Sequence, residues 1–484
     1  MEPLMLATTG ISHTTAIVWL CIIGFMVFIG IIMAMVALVY MLQQNRSPQS
    51  SVAWLIGIVL CPWIVVPLFI YAGGRKWRRL SRMKGYLSIS GQHEEEVVDS
   101  RAVHVETLLK SHGMPTATAG NDIRMLATGI DVYEAMVEEI NAARTSICIE
   151  TFIFLLDDVG SGLLDLLIKR AKDGIEVRLL LDAIGDMAAS KKIRATKQHK
   201  RLAQLTAAGG KVAYFMPTIH NPLRGSGNLR NHRKIALFDG TIVISGGTNI
   251  SEQYIGPTEL DSRWPDCSMR IKGPVVESYV QIFSHDWTFA SGETHVPAGT
   301  HEPSPGGQVA QVVTAGPDTQ GDPLHDALLT MMYLASDRLW VVTPWFVPDD
   351  AICDALSSAA RRGVDVRIFV PSRSIVRIAD WAGDTYLRQC QAAGATIYKH
   401  RRGMFHAKLI LMDDRLAAIG SANLDMRSLF LNYECSLLMY SPQGIGDVEA
   451  WIKDLESKSD VGLAPIGTLG AAGEGLARTL GPLL

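Results

Sequence analysis

Residues 231–249 read NHRKIALFDGTIVISGGTN, and residues 406–423 read HAKLILMDDRLAAIGSAN. Each stretch opens on His-x-Lys, passes four mostly apolar residues to an Asp, turns, and returns through a second apolar run. Side chains alternate along a strand, so His232 and Lys234 share one face, with Ile235 and Leu237 at positions of mixed burial. Asp239-Gly240 is a natural hairpin turn. The returning strand ends at Gly246-Gly247-Thr248-Asn249. The second stretch predicts the same: a strand over 406–412, a turn at Asp413-Asp414, and an end at Gly420-Ser421-Ala422-Asn423.

Working outward, the two stretches belong to one unit written twice. Thr151, Phe154, Asp157 and Asp158 recur 192 residues later as Thr343, Phe346, Asp349 and Asp350. AKDGIEVRLLL from Ala171 recurs as ARRGVDVRIFV from Ala360, and Ala207-Ala208-Gly209 as Ala392-Ala393-Gly394. Asp266-Cys267-Ser268 matches Glu434-Cys435-Ser436, with the offset down to 168, as loops of unequal length require. Short β-rich runs (147–154, 176–181, 339–346, 364–370) alternate with helical ones, which predicts α/β units. Residues 290–307, rich in Gly, Pro and Thr, read as a linker. The expected organisation is a membrane anchor over 1–74, a basic connector over 75–115, and two duplicated sheet domains over 116–300 and 301–484.

Composition narrows the function. The 484 residues carry 45 Lys plus Arg against 48 Asp plus Glu, a net charge of −3, which disfavours a nucleic-acid binder built on phosphate neutralisation. Seven scattered cysteines without a CxxC pair fit neither a disulfide scaffold nor a structural zinc site. His104-x-Glu106 lacks a PCxxC partner, and Gly209-Gly210-Lys211 lacks the rest of a P-loop. Between Glu2 and Arg46 there is no formal charge, and residues 16–42 are apolar on every side. About 20 such residues span a bilayer. A second uncharged run, 51–74, contains Pro62 and Pro67 and predicts a second span. Arg75, Lys76, Arg78, Arg79, Arg82 and Lys84 follow at once, which places this side in the cytoplasm and attracts anionic lipid.

Two imidazoles and two ammonium groups suit phosphodiester transfer. A neutral His attacks phosphorus while a protonated one donates to the departing alkoxide. Lys234, Lys408, Asn249, Asn423 and Ser421 are candidates to hold the non-bridging oxygens. No cofactor or divalent metal is needed. Asp239 and Asp413 are candidate members of the catalytic set or turn residues that bind backbone amides. Asp266 and Glu434 fit either of two roles, holding an imidazole in one tautomer or forming an ordinary salt bridge. Arg224, Arg230 and Arg233 flank the first motif and fit either anionic head groups or a solvated basic loop, and Trp345 and Phe346 fit core packing before an acyl entrance.

The paired HxKx4D motifs with GGTN and GSAN downstream resemble the phospholipase D superfamily across 116–484. Two N-terminal spans, Ala53-Trp54 after Arg46-Ser47-Pro48, DMRS at 425–428, NYE at 432–434 and a terminal GPLL extend the resemblance to bacterial cardiolipin synthases of the two-span type. It implies two sheet domains facing one another about a pseudo-twofold axis in a multi-pass protein of the bacterial cytoplasmic membrane. It also implies a phosphohistidine at His232, His406 as acid and then base, and phosphatidylglycerol as both donor and acceptor. A hydrolase, which gives the same intermediate to water, is the alternative reading.

Overall fold

The computed structural model describes residues 13–42, 48–69, 84–89, 102–183, 185, 192–216, 229–294, 305–479 and 481. The chain divides into two compact units, Met1–Arg78 and Arg79–Leu484.

In the first unit the uncharged N-terminal run forms α1 (His13–Leu42). Its Ile17–Met41 stretch is long and apolar enough to cross a membrane. Ala37 and Met41 pack against Ile58, Val66 and Phe69, while Ile17, Phe25, Phe28 and Val36 keep their apolar side chains uncovered. The second run, in which Pro62 and Pro67 are placed to kink a helix, is interrupted at the first of them. It forms α2 (Pro48–Leu60) and α3 (Pro62–Leu68), broken at Cys61 because Pro62 has no N–H to continue the ladder and opens a new helix. Residues 70–74 and Arg75, Lys76, Arg78, Arg79 and Arg82 lie outside the described residues.

The second unit is built on one sheet of 15 strands. The first repeat supplies β1 (Thr118–Leu126), β2 (Ser146–Thr151), β3 (Glu176–Asp182), β4 (Lys211–Phe215), β5 (Ile235–Phe238), β6 (Ile242–Gly246) and β7 (Ser268–Lys272). The second supplies β8 (Gln308–Ala315), β9 (Arg338–Val342), β11 (Asp365–Pro371), β12 (Thr396–His400), β13 (Leu409–Met412), β14 (Leu416–Gly420), β16 (Glu434–Met439) and β17 (Ser459–Val461). Two short strands, β10 (Phe346–Val347) and β15 (Leu424–Asp425), pair separately.

From the centre outward the order is β1-β7-β6-β5-β2-β3-β4 on one side and β8-β16-β14-β13-β9-β11-β12-β17 on the other. The first seven strands correspond one for one, β17 alone having no counterpart, so the duplication is a property of the fold. The repeats belong to one compact unit and share a core. They join edge to edge, β1 against β8 antiparallel, and boundary 300/301 falls inside one compact unit. This union hides the edge strand that each repeat would otherwise expose.

Helices cover both faces. Ile235 and Leu237 join a core shared by the two repeats, together with Leu409 and Leu411, under helices Val276–Ser291 and Pro442–Ser457. Ala236 and Phe238 turn to the opposite face of the first repeat, and Ile410 and Met412 to that of the second. The strand residues expected at mixed burial are thus all buried, as a sheet covered on both sides requires.

Candidate active site

Both motifs lie where the parallel strands end. β2, β3 and β4 are parallel, as are β9, β11 and β12, and the chain enters β5 and β13 from their C-terminal edges. Ligands favour that edge of a parallel sheet. His232 and Lys234 precede β5 rather than lying in it, and His406 and Lys408 precede β13. There the backbone leaves its own ladder for the other repeat. His232 N donates to Tyr433 O at 2.9 Å, and His406 N donates to Pro265 O at 2.8 Å.

The imidazoles are exchanged between repeats in the same way. His232 Nδ1 lies 3.0 Å from both carboxylate oxygens of Glu434, and His406 Nδ1 lies 2.8 Å from Asp266 Oδ2. Each carboxylate holds Nδ1 and leaves Nε2 for chemistry. Sequence allowed Asp266 and Glu434 this role, but gave no sign that each serves the other repeat's histidine. All six groups are buried, and their charges act on one another across the boundary. Lys408 disfavours the imidazolium of His232, and Lys234 that of His406.

Burial, followed by the charge of Lys408, pushes His406 down to about 3. Burial also lowers His232, although Glu434 works the other way. Lys234 falls to about 7 and Lys408 to about 8, again through burial first. Burial alone would raise Glu434, yet His232 and Lys234 hold it below its ordinary value. Both imidazoles are therefore shifted toward the neutral form. Lys408 Nζ lies 2.9 Å from His406 Nδ1, and a second cation there is unfavourable.

Small residues make this geometry possible. A side chain at Gly247 would meet Asp266 Oδ1 at 2.4 Å, so the shorter carboxylate sits against a glycine. At the matching position Ser421 donates its hydroxyl to Glu434. Both Asn249 and Asn423 are buried; Asn249 Oδ1 and Nδ2 lack hydrogen-bond partners, as does Asn423 Oδ1, while the Asn423 amide acts on Asp425. Unsatisfied buried amides of this kind suit an incoming ligand.

The structure does not bring Asp239 and Asp413 to the imidazoles. Each lies five residues beyond its lysine, about 16 Å along an extended chain, at the far end of the strand. Asp239 accepts from the backbone N–H groups of Arg144, Thr145 and Ser146, and Asp413 from those of Ser336, Asp337 and Arg338. Both adopt left-handed backbone, φ 53° and 52°, which Asp tolerates better than most residues. Replacing Asp413 with alanine is expected to cost about 2–4 kcal/mol of stability through lost amide acceptors and strained backbone. Chemical denaturation should show that loss, while kcat/KM measured well below the transition changes less than about threefold, since no reacting group moves.

Aromatic rings missed in the sequence wall the imidazoles. Phe152 meets His232 edge-on at 5.0 Å, and Tyr254 meets His406 likewise at 5.0 Å, with Trp264 at 6.3 Å. Trp345 lies 5.9 Å from His406, whereas Phe346 is core. Arg233 and Arg230 are not open to head groups. Arg233 is fully buried between Asp286 (2.7 Å) and Asp318 (3.1 Å), and Arg230 lies 3.4 Å from Asp182. Lys84, read as part of the basic run, inserts into the same cluster, pairing with Asp286 and with Asp318 at 2.7 Å. His285 adjoins these two carboxylates, but the cations already hold them. Arg224 lies outside the described residues.

A doubled α/β unit that pools one His-x-Lys pair from each repeat defines the phospholipase D superfamily. Residues 136–287 and 328–455 match the family described as "Cardiolipin synthase, PLD-like domain". Cardiolipin synthase 1 of Bacillus anthracis is 31% identical over 85% of this chain and 84% of its own. A cardiolipin synthase of Geobacillus sp. is 32% identical over 90% and 89%, and one of Halalkalibacterium halodurans 30% over 95% and 93%. The chain belongs to the cardiolipin synthase family. In fold it is similar to phosphatidylserine synthase of Haemophilus influenzae, with a TM-score of 0.56 at 16% identity over 79% of this chain and 98% of that one.

Proposed function

We propose that the protein is a phosphatidyltransferase that makes cardiolipin from two phosphatidylglycerol molecules and releases glycerol. The observation that carries this reading is the reciprocal clamp: each repeat's histidine is held by the other repeat's carboxylate, so one diester can meet both imidazoles. His232 Nε2 attacks phosphorus and the P–O bond to glycerol breaks. The departing oxygen takes a proton from His406. The terminal hydroxyl of a second phosphatidylglycerol then gives its proton to His406 and attacks the phosphohistidine, which frees His232.

The anionic donor supplies the negative charge that the empty site lacks. With it bound, imidazolium at His406 and ammonium at Lys234 and Lys408 become favourable, so His406 takes up from solvent, as the donor binds, the proton that glycerol needs. Lys234, Lys408, Asn249 and Asn423 hold the non-bridging oxygens. Phe152, Tyr254 and Trp264 limit access of water, and transfer rather than hydrolysis follows.

Helix α1, followed by α2 and α3, supports an anchor that crosses the bacterial cytoplasmic membrane twice, with residues 75–115 as connector and the repeats 116–300 and 301–484 on the cytoplasmic side. Incubation of the purified chain with defined phosphatidylglycerol tests the activity. Cardiolipin and glycerol should appear in equal amounts. Phosphatidic acid with glycerol, and no cardiolipin, would make the protein a hydrolase instead.

A further inference from the structure

Residues 371–381 read PSRSIVRIADW, linking β11 to the helix Arg377–Ala392. Ile375 is 64% exposed, Val376 38%, Ile378 39% and Trp381 55%. Among the described residues outside 13–69, eleven large apolar side chains are exposed, and four of them fall in these seven positions. The inward face of the helix is Ala379, Ala382, Gly383 and Tyr386. Ile378 and Trp381, three apart, therefore share the outward face, where a helix in water carries polar residues. Arg373 and Arg377 are exposed beside them, and neither has an acidic partner among the described residues.

The segment lies on the reactive edge of the sheet. β9 and β11 are parallel, so the residues after β11 and those after β9 leave at the same edge. Trp345, just beyond β9, faces His406. The helix packs against β10 so closely that a side chain at Gly383 would lie 2.6 Å from Phe346 O. Apolar side chains with a tryptophan, interleaved with arginines, have the chemistry of a segment lying in an anionic membrane interface.

We propose that residues 373–381 seat the catalytic unit on an anionic bilayer. The arginines meet lipid phosphates, Ile375, Ile378 and Trp381 enter the acyl boundary, and head groups are presented at the edge where the imidazoles lie. This deepens the phosphatidyltransferase reading by naming the lipid surface as the partner of that edge.

The test uses the full chain in phosphatidylcholine vesicles containing phosphatidylglycerol, with the exposed Cys21 and Cys61 changed to Ser. A polarity-sensitive fluorophore is attached through Ile378→Cys or, before β9 at the opposite edge, Tyr333→Cys. The label at 378 should shift to the blue and be quenched by brominated lipid, more so with phosphatidylglycerol present, while the label at 333 stays aqueous. The double variant Ile378→Asp, Trp381→Asp should raise KM for vesicle phosphatidylglycerol at least tenfold. Its kcat/KM on a short-chain, monomeric phosphatidylglycerol should stay within twofold. A label at 378 as aqueous as that at 333 overturns the proposal, as does energy transfer between labels at 378 on two copies without lipid quenching. Quenching at 378 in a protein that forms no cardiolipin would leave this contact standing and remove the functional reading.

Discussion

His232→Ala is expected to abolish the phosphoenzyme and to lower turnover by on the order of 10⁴-fold or more. Glu434 engages His232 Nδ1, which leaves Nε2 for attack in the proposed mechanism, and burial favours the neutral ring. His406→Ala should behave differently. A donor whose leaving group needs no proton, such as a nitrophenyl ester, still phosphorylates His232. The base for the second half-reaction is gone, and the intermediate accumulates. Rapid quenching with a radiolabelled donor, followed by the acid lability of the phosphoramidate, distinguishes the two. Accumulation in His232→Ala and none in His406→Ala would exchange the assignments. His232→Asn keeps a side-chain donor toward Glu434 and controls for folding, since alanine leaves a buried carboxylate without its partner.

Several parts of this site were legible in the sequence because they are local. His232, Lys234 and their counterparts are fixed by spacing, and the shrinking offset of the repeat marks the strand order in both halves. The carboxylate partners were visible as matched positions, but their exchange was not. Glu434 is 202 residues from His232, and Asp266 is 140 from His406. Phe152, Tyr254 and Trp264 read as ordinary core because nothing in a strand pattern separates a core ring from one facing an imidazole. Lys84 was hidden in a basic run whose other members lie outside the described residues. Asp239 and Asp413 recur with the motif, yet their recurrence reflects a turn that both repeats must close.

Lys408→Met is expected to stabilise the empty protein while lowering kcat/KM by about 10²–10³-fold. Lys408 is buried, and burial brings it down to about 8 although Asp266 and Glu434 work in the opposite direction. A lysine whose folded pKa lies below its unfolded value of about 10.4 binds its proton more weakly after folding. Its charge therefore costs stability below pH 8, and that cost diminishes as pH rises from about 8 toward 10. An apolar side chain of similar length removes the cost, so the apparent Tm at pH 7 should rise by about 2 °C or more. Lys408 is also the second cause of the depressed His406 pKa, so His406 in the variant should titrate at higher pH, as NMR of its ring protons would record. In the unsubstituted enzyme, kcat/KM should fall from about pH 7 upward as Lys234 and then, near pH 8, Lys408 lose their protons. Bound phosphatidylglycerol favours both ammonium groups, which displaces the corresponding limb of kcat to higher pH. A lower Tm together with near-normal turnover would contradict the oxyanion role and make Lys408 a partner that Asp266 and Glu434 need for folding alone.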